Sequence, residues 1–234
     1  MEEFFENNYS LLTRLVEFIA ALTGVLCYKK YKDTPVKYFI YFLVGVLFLE
    51  LIGSYPRYVK KLEITWLKET LFEHNYWFYT IFWKIGSVLF MIFFFRKILK
   101  NKIVKEVLKY SALLFLLSAV VYYIFNFKKL FLNFSPYFID VSGAFIVLFC
   151  AAFYFVEVLK TDKILSFYKS IDFYISATVF VWWLIVTPIT FYNIYYSASD
   201  WNFIVLKWQI YLSANIFMYL TFSFALLWCK PQKT

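Results

Sequence analysis

Histidine, cysteine and glycine are scarce in this chain of 234 residues, and each shortage excludes a class of site. The single histidine, His74, has no companion at a ligand spacing, so neither a zinc site nor a haem site is predicted. The three cysteines, Cys27, Cys150 and Cys229, show neither a metal-binding spacing nor a disulfide framework. No glycine-rich phosphate loop is present, and no two aspartates lie deep enough in facing segments for intramembrane proteolysis. We therefore predict no metal, no cofactor and no catalytic residues.

Apolar residues, in contrast, are in excess. They make up 63% of the chain and give a mean hydropathy of +0.66, whereas a soluble domain is about half apolar. Seven stretches reach the length of about 20 residues that crosses a bilayer core. We therefore predict an all-α polytopic membrane protein with seven transmembrane helices in a single domain, residues 1–234. The predicted spans are Tyr9–Tyr28, Lys37–Tyr55, Tyr76–Phe95, Val107–Asn126, Tyr137–Leu159, Phe173–Tyr196 and Phe203–Trp228.

Lysine and arginine are divided unevenly between the two sides of these spans, and they accumulate on the cytoplasmic side of membrane proteins. One side has Arg57, Lys60, Lys61, Lys68, Lys128 and Lys129. The other has Lys29, Lys30, Lys32, Lys37, Arg96, Lys97, Lys100, Lys102, Lys105, Lys109, Lys160, Lys163, Lys169, Lys230 and Lys233. We predict a bacterial inner-membrane protein with its N-terminus outside and its C-terminus in the cytoplasm.

The formal net charge of +9 follows largely from this topology. It also favours attraction to the anionic lipids of the inner leaflet, and nucleic-acid binding is not needed to explain it. A cytoplasmic partner protein could bind the densest group of cations. That group comprises Arg96, Lys97, Lys100, Lys102 and Lys105.

An odd number of spans admits a three-plus-one-plus-three plan with parallel repeats. One set of spacings agrees with duplication: Ala20, Ala21, Val25, Lys29 and Lys32 match Ala151, Ala152, Val156, Lys160 and Lys163. The size, topology and orientation resemble those of the small sugar carriers called SWEETs. The chain lacks the paired prolines of those carriers, because only Pro188 lies within a predicted span.

Ionisable residues interrupt the predicted spans, all in the half that faces away from the cytoplasm. They are Arg14, Glu17, Glu50, Lys84, Asp140 and Lys207. A charge in hydrocarbon costs about 2.5–3.5 kcal/mol on insertion scales, so such residues usually face a partner or a wet cavity. We therefore predict a polar pocket in the outer half of the bundle, formed where opposite charges meet.

Individual partners follow from the positions of these residues. Arg14 and Glu17 are three residues apart on one helix face, which favours an ion pair within the helix. Lys84 is the deepest charge, and its leading carboxylate partners are Glu17 and Glu50. Gly53, close to Glu50, is small enough to let a neighbouring helix approach.

Other polar residues extend the predicted pocket. Asp140 and Lys207 lie nearer the surface, where they could simply reach lipid headgroups. Asn215 lies near mid-membrane, and an amide there usually joins two helices. The further members of this set are Thr187, Thr190, Asn193 and Ser213.

Several short sequence runs are spread over most of the chain. They are Tyr28-Lys29-Lys30-Tyr31-Lys32, Lys37-Tyr38-Phe39-Ile40, Glu50 before Gly53, Phe173-Tyr174-Ile175-Ser176 with Pro188, and Asn215 with Met218, Tyr219 and Trp228. In these runs the chain resembles uncharacterised seven-span inner-membrane proteins of Bacteroidota. The resemblance implies the membrane class and the origin, and no functional residue follows from it.

Two main functions fit these features. The first is a small non-enzymatic receptor-like or accessory module, with a ligand or lipid in the outer pocket and basic cytoplasmic loops for a partner. The second is a solute or ion transporter that uses Glu17, Glu50 and Lys84. A transporter should have a polar route past Asn215 to the cytoplasm, whereas a receptor-like module should be sealed below it. A lipid-modifying enzyme and a purely structural protein are the lesser alternatives.

Overall fold

The computed structural model describes residues 2–61, 67, 70–131, 137–192 and 201–231. Within these ranges, seven helices are long and apolar enough to cross a membrane. They are α1 (Glu2–Tyr31), α2 (Val36–Gly53), α3 (Tyr76–Ile98), α4 (Lys102–Phe125), α5 (Tyr137–Leu159), α6 (Ile171–Tyr192) and α7 (Trp201–Trp228). Short helices cover Tyr55–Lys61 and Phe127–Phe131, and 3₁₀ turns cover Asp162–Leu165 and Phe167–Lys169. The predicted all-α fold with seven spans is confirmed.

The outer surface of the bundle is strongly apolar. Leu26, Leu114 and Phe125 are 73%, 70% and 82% exposed, and many other large apolar side chains lie on the same surface. A continuous apolar exterior of this extent is typical of contact with lipid, where each helix satisfies its own backbone hydrogen bonds. The chain is therefore a multi-pass membrane protein.

Six of the helices form a closed arrangement, and the seventh lies outside it. Helix α1 packs against α2 and α7, α6 packs between α5 and α7, and α3 packs against α5. Helices α2 and α3 meet largely through aromatic side chains, including the stacked rings of Phe42 and Phe90. Helix α4 packs on the outside, against α3 and α5. A peripheral fourth helix agrees with the three-plus-one-plus-three plan, while the duplication itself stays a prediction.

Helices α1 and α7 run parallel, which defines two ends of the bundle. We call the end where both helices begin the N-terminal end, and the end where both finish the C-terminal end. At the C-terminal end, the Lys30 ammonium donates to the carbonyls of Leu226 and Leu227, both at 2.9 Å. The Tyr31 hydroxyl lies 3.2 Å from the Leu226 carbonyl and 2.8 Å from the Cys229 carbonyl. These contacts satisfy carbonyls that the last turn of a helix leaves without an intrahelical partner.

Removing the Tyr31 hydroxyl should loosen this end of α7. We expect Tyr31→Phe to lower the free energy of unfolding by about 1–2 kcal/mol, because buried carbonyls lose a donor. Tyr28→Phe is the matched control on the same helix, since the Tyr28 hydroxyl meets the Tyr41 hydroxyl at an exposed position. Detergent-induced unfolding of both variants checks this, and equal effects would contradict the capping role.

The connection between α3 and α4 is ordered by several hydrogen bonds. The Glu157 carboxylate, near the end of α5, accepts from the backbone N–H groups of Lys100 and Asn101 at 2.9–3.2 Å. The Asn101 side chain caps the first turn of α4, and Arg96 Nε donates to the Lys105 carbonyl at 3.1 Å. The basic group predicted to bind a partner is therefore held on a defined backbone.

Candidate functional site

A cavity of about 430 Å³ lies at the N-terminal end, between α1, α2, α3, α6 and α7. This volume is within the range of small-molecule sites, about 300–1,000 Å³. It brings together four of the predicted site residues: Arg14, Glu17, Glu50 and Asn215. The rest of the lining is largely polar or aromatic and comprises Tyr9, Ser10, Thr13, Gly53, Ser54, Pro56, Arg57, His74, Asn75, Tyr76, Tyr79, Trp83, Trp182, Tyr211 and Tyr219. We call this space the large cavity.

Two arginines hold α1 and α2 in register along one wall of the large cavity. Near its mouth, Arg57 Nη2 donates to Ser10 Oγ at 3.1 Å. One helical turn deeper, Arg14 Nη2 donates to Ser54 Oγ at 2.5 Å. The predicted ion pair between Arg14 and Glu17 does not occur among the salt bridges of the described residues, because the Arg14 side chain reaches Ser54 at the end of α2 instead.

Helices α1 and α2 run antiparallel, so Glu17 lies at the same level as Glu50, about one turn deeper than Arg14. Glu17 is only 5% exposed, and its Oε2 atom has no hydrogen-bond partner among the described residues. The Tyr219 hydroxyl lies beside the Glu17 carboxyl group, and Glu50 Oε2 accepts from the Tyr79 hydroxyl at 3.0 Å. No salt bridge of the described residues involves either glutamate. Two neighbouring buried carboxyl groups that form no salt bridge, with Arg14 as the nearby positive charge, are suited to hold a proton or a cationic group.

A π-helical segment shapes the facing wall. Helix α3 is π-helical over Tyr79–Ile85, and this wider turn brings Tyr79 and Trp83 to the large cavity. π-Helical turns inside α-helices are frequent at functional sites. A Cβ atom at Gly53 would lie 2.8 Å from both Cζ and Oη of Tyr79, so the absence of a side chain there lets the ring reach Glu50. The predicted role of Gly53 in close approach is confirmed.

Adding one methyl group at Gly53 should therefore disturb the site while leaving the fold intact. In Gly53→Ala we expect the Tyr79 ring to move and its hydrogen bond to Glu50 to break, because a flexible ring end yields more easily than backbone. Gly45→Ala is the matched control on the same helix, since nothing lies within 4 Å of its added Cβ.

Reaction of Glu50 with a hydrophobic carbodiimide, mapped by mass spectrometry, measures the change. We expect faster modification in Gly53→Ala and an unchanged rate in Gly45→Ala. Equal rates in the two variants would mean that Gly53 does not hold Tyr79 in place.

A hydrogen bond crosses the floor of the large cavity. The indole Nε1–H of Trp182 on α6 donates to Asn215 Oδ1 on α7 at 2.9 Å. The predicted role of Asn215 in joining two helices is thus confirmed, although the residue also lines the large cavity. Its side chain therefore contributes to both packing and the lining of the site.

A layer of aromatic side chains lies below this floor, towards the C-terminal end. We define the layer as Phe39, Phe42, Phe90, Phe94 and Phe222. The rings of Phe39 and Phe222 meet edge to face at 4.8 Å, and those of Phe42 and Phe90 stack at 4.2 Å between centroids. Phe39 and Phe94 are completely buried. None of these five residues lines the large cavity, and the described part of the layer lies between that cavity and the basic C-terminal end.

Lys84 and Asp140 form a second polar centre between α3 and α5. Their side chains make a salt bridge of 2.8 Å. The prediction that Lys84 is paired with a carboxylate is confirmed, but the predicted partners, Glu17 and Glu50, are wrong. The prediction that Asp140 reaches headgroups is wrong for the same reason. Helix α3 packs against α5, so Asp140 on α5 lies within reach of Lys84.

This ion pair lines a smaller cavity of about 120 Å³, which we call the small cavity. Thr187 and Thr190 of α6 contribute to its lining, so two further predicted polar residues lie there. The two cavities share Trp83, Trp182 and Tyr211 as lining residues. The predicted charges therefore form two adjacent centres instead of one cluster.

Two predicted site residues, Ser213 and Lys207, lie elsewhere. Ser213 is exposed on the surface of α7 and lines neither cavity. Lys207 lines a groove with Pro188 and Tyr192 on the face formed by α6 and α7, and it lines neither cavity. Asn193 lies outside the described residues. Arg57, on the short helix Tyr55–Lys61, lines the large cavity, although its sequence position outside the predicted spans gave it no predicted role in the site.

Comparison of the chain with protein-family models, with curated proteins and with solved structures finds no match. The geometry of the site is therefore the basis for any functional assignment.

Proposed function

We propose that this protein is a receptor-like or accessory module that binds a small polar solute in the large cavity without converting it chemically. The observation that supports this best is the combination of a polar cavity at the N-terminal end with the aromatic layer beneath it. A sealed lower half is the feature that separates a binding module from a transporter with a continuous polar path.

The distribution of basic residues supports an orientation for this module. We propose that the large cavity faces the outside of a bacterial inner membrane, since the cations are concentrated at the opposite end. The connection fixed by Glu157 and Asn101 then presents Arg96 and its neighbours to anionic inner-leaflet lipids and to a cytoplasmic partner protein. Binding of a solute in the large cavity could affect that partner through α3. This helix contributes residues to the large cavity and ends at the basic connection.

A solute transporter is the second candidate, because two of the lining helices are irregular. Helix α3 has its π-helical segment and α6 contains Pro188, so both could change shape. The adjacency of the two cavities would give a solute a second position. In this alternative, the sealed lower half is one state of an alternating cycle.

Binding and flux measurements distinguish the two candidates. The intact protein in lipid nanodiscs is titrated with amino acids, amines, organic acids and sugars, and intrinsic tryptophan fluorescence, to which Trp83 and Trp182 of the cavity contribute, reports binding. We expect saturable binding of one solute class and no accumulation of it in proteoliposomes. Absence of binding by every class would contradict the proposal. Accumulation that disappears in Glu50→Gln would replace the receptor-like function with transport.

A further inference from the structure

The charges of the large cavity are layered by sign, and this layering points to a ligand class. The guanidinium groups of Arg57 and Arg14 lie towards the mouth, whereas Glu17 and Glu50 lie deeper. We infer that the large cavity binds a small zwitterion of the α-amino acid class, with its ammonium group at the two glutamates and its carboxylate at Arg14. This inference rests on the proposed function and names the solute class.

The deeper layer is suited to the ammonium group. Glu17 and Glu50 interact repulsively when both are ionised, and neither belongs to a salt bridge of the described residues. Glu17 is nine-tenths or more buried, and its Oε2 atom lacks a hydrogen-bond partner there. An ammonium group has three donors and a positive charge, so it would satisfy this oxygen and relieve the repulsion. Tyr219 and Trp182 also line the large cavity, and aromatic rings attract cations.

The upper layer is suited to the carboxylate. Arg14 Nη2 is engaged by Ser54, but the Arg14 Nε–H lacks a partner among the described residues. A guanidinium group presents its donors in a fork that matches a carboxylate. Arg57 lies one turn further out, anchored at Ser10, and gives a second positive charge at the mouth.

The spacing of the layers suits one small molecule. Arg14 and Glu17 are three residues apart on α1, which corresponds to about 4.5 Å along the helix axis. The ammonium and carboxylate groups of an α-amino acid are attached to the same carbon atom, so they can contact adjacent layers at the same time. The volume of about 430 Å³ leaves room for a side chain against the tyrosine and tryptophan rings.

Isothermal titration of the intact protein in nanodiscs tests this assignment. The common L-α-amino acids are compared first. For L-phenylalanine, the amine-only analogue is 2-phenylethylamine and the acid-only analogue is 3-phenylpropionate. We expect an α-amino acid to bind, and each of its one-charge analogues to bind weaker by about tenfold or more, the size of one charge-assisted contact.

Two variants assign the ends of the ligand. Glu17→Gln should weaken the binding of the amino acid and of the amine by about tenfold and leave the binding of the acid unchanged. Arg14→Gln should weaken the binding of the amino acid and of the acid and leave the binding of the amine unchanged. Glu106→Gln is the matched control, because Glu106 is an exposed residue of α4 far from the large cavity. Circular dichroism confirms that each variant is folded, and Glu50→Gln replaces Glu17→Gln if the latter is not.

Three outcomes would overturn the inference. Binding of the amine, or of sodium ions, as tight as that of the amino acid would make the site a cation site. Binding of a sugar without binding of any amino acid would agree with the proposed function but contradict the inferred zwitterionic ligand. Absence of binding by every solute class would remove both.

Discussion

Replacing Asp140 by asparagine should destabilise the folded protein by about 3 kcal/mol, the cost of leaving Lys84 in the membrane without its carboxylate partner. The two side chains meet at 2.8 Å, and they are 31% and 18% exposed, so water screens them only in part. Neutralising both residues, as Lys84→Gln with Asp140→Asn, should recover most of the loss because no unpaired charge remains. Unfolding of the purified protein in mixed detergents, analysed as a double-mutant cycle, measures the coupling.

An exposed pair gives the control for this experiment. Lys109 and Glu106 lie 3.8 Å apart on α4 and are more than half exposed. Glu106→Gln should change the unfolding free energy by about 0.5 kcal/mol or less, as is usual for surface ion pairs. Equal losses from Asp140→Asn and Glu106→Gln would show that the salt bridge of α3 and α5 contributes little.

Phe39→Ala should have the largest effect of any single substitution in the aromatic layer, lowering the free energy of unfolding by about 3–5 kcal/mol. Phe39 is completely buried and touches the rings of Phe42, Phe94 and Phe222. Between membrane helices the loss is mainly van der Waals packing, because lipid is as apolar as the ring itself. The same unfolding assay measures it.

Phe149→Ala is the matched control for this substitution, since Phe149 is 58% exposed on the outer face of α5. We expect Phe149→Ala to lower the free energy of unfolding by less than about 1 kcal/mol, because it leaves no cavity in the packed interior. Phe39→Ala should also let small ions leak through reconstituted vesicles if the aromatic layer is the seal, whereas Phe149→Ala should not. A small loss of stability in Phe39→Ala, with tight vesicles, would contradict the role given to the layer.

The spans could be predicted from sequence because hydrocarbon thickness sets a length that each apolar stretch must meet. The predicted span Tyr137–Leu159 coincides with α5, and Lys37–Tyr55 differs from α2 by one residue at its start and two at its end. Asn215 could also be assigned, since a buried amide needs a partner on a neighbouring helix whichever helix that is.

The partners of the charges could not be predicted, because they depend on which helices are neighbours. Lys84 needed a carboxylate, but only the packing of α3 against α5 selects Asp140. The spacing of Arg14 and Glu17 allows an ion pair, yet Arg14 reaches Ser54, the C-cap residue of α2. The spacing of residues in the sequence describes one helix, whereas these side chains bind partners on a second helix.

The aromatic residues that line the site could not be identified from the sequence. Tyr79 and Trp182 are two of many aromatic residues, and nothing in their local sequence marks them as lining a cavity. The π-helical segment that turns Tyr79 inward has no recognised signature in the sequence. A clearer signal was Gly53, one turn from Glu50, because a glycine inside a membrane helix often permits close approach.

A polar cavity sealed on one side predicts that water reaches Asn215 from one end of the bundle only, and this accessibility can be measured directly. Single cysteines are placed at position 215 and, as control, at the lipid-exposed Ser213, after the three buried native cysteines are replaced by alanine. A charged methanethiosulfonate reagent is then added to either side of sealed vesicles. We predict that Asn215→Cys reacts from the N-terminal end alone and that Ser213→Cys does not react. Reaction of Asn215→Cys from the C-terminal end, or from neither end, would contradict a polar cavity sealed by the aromatic layer.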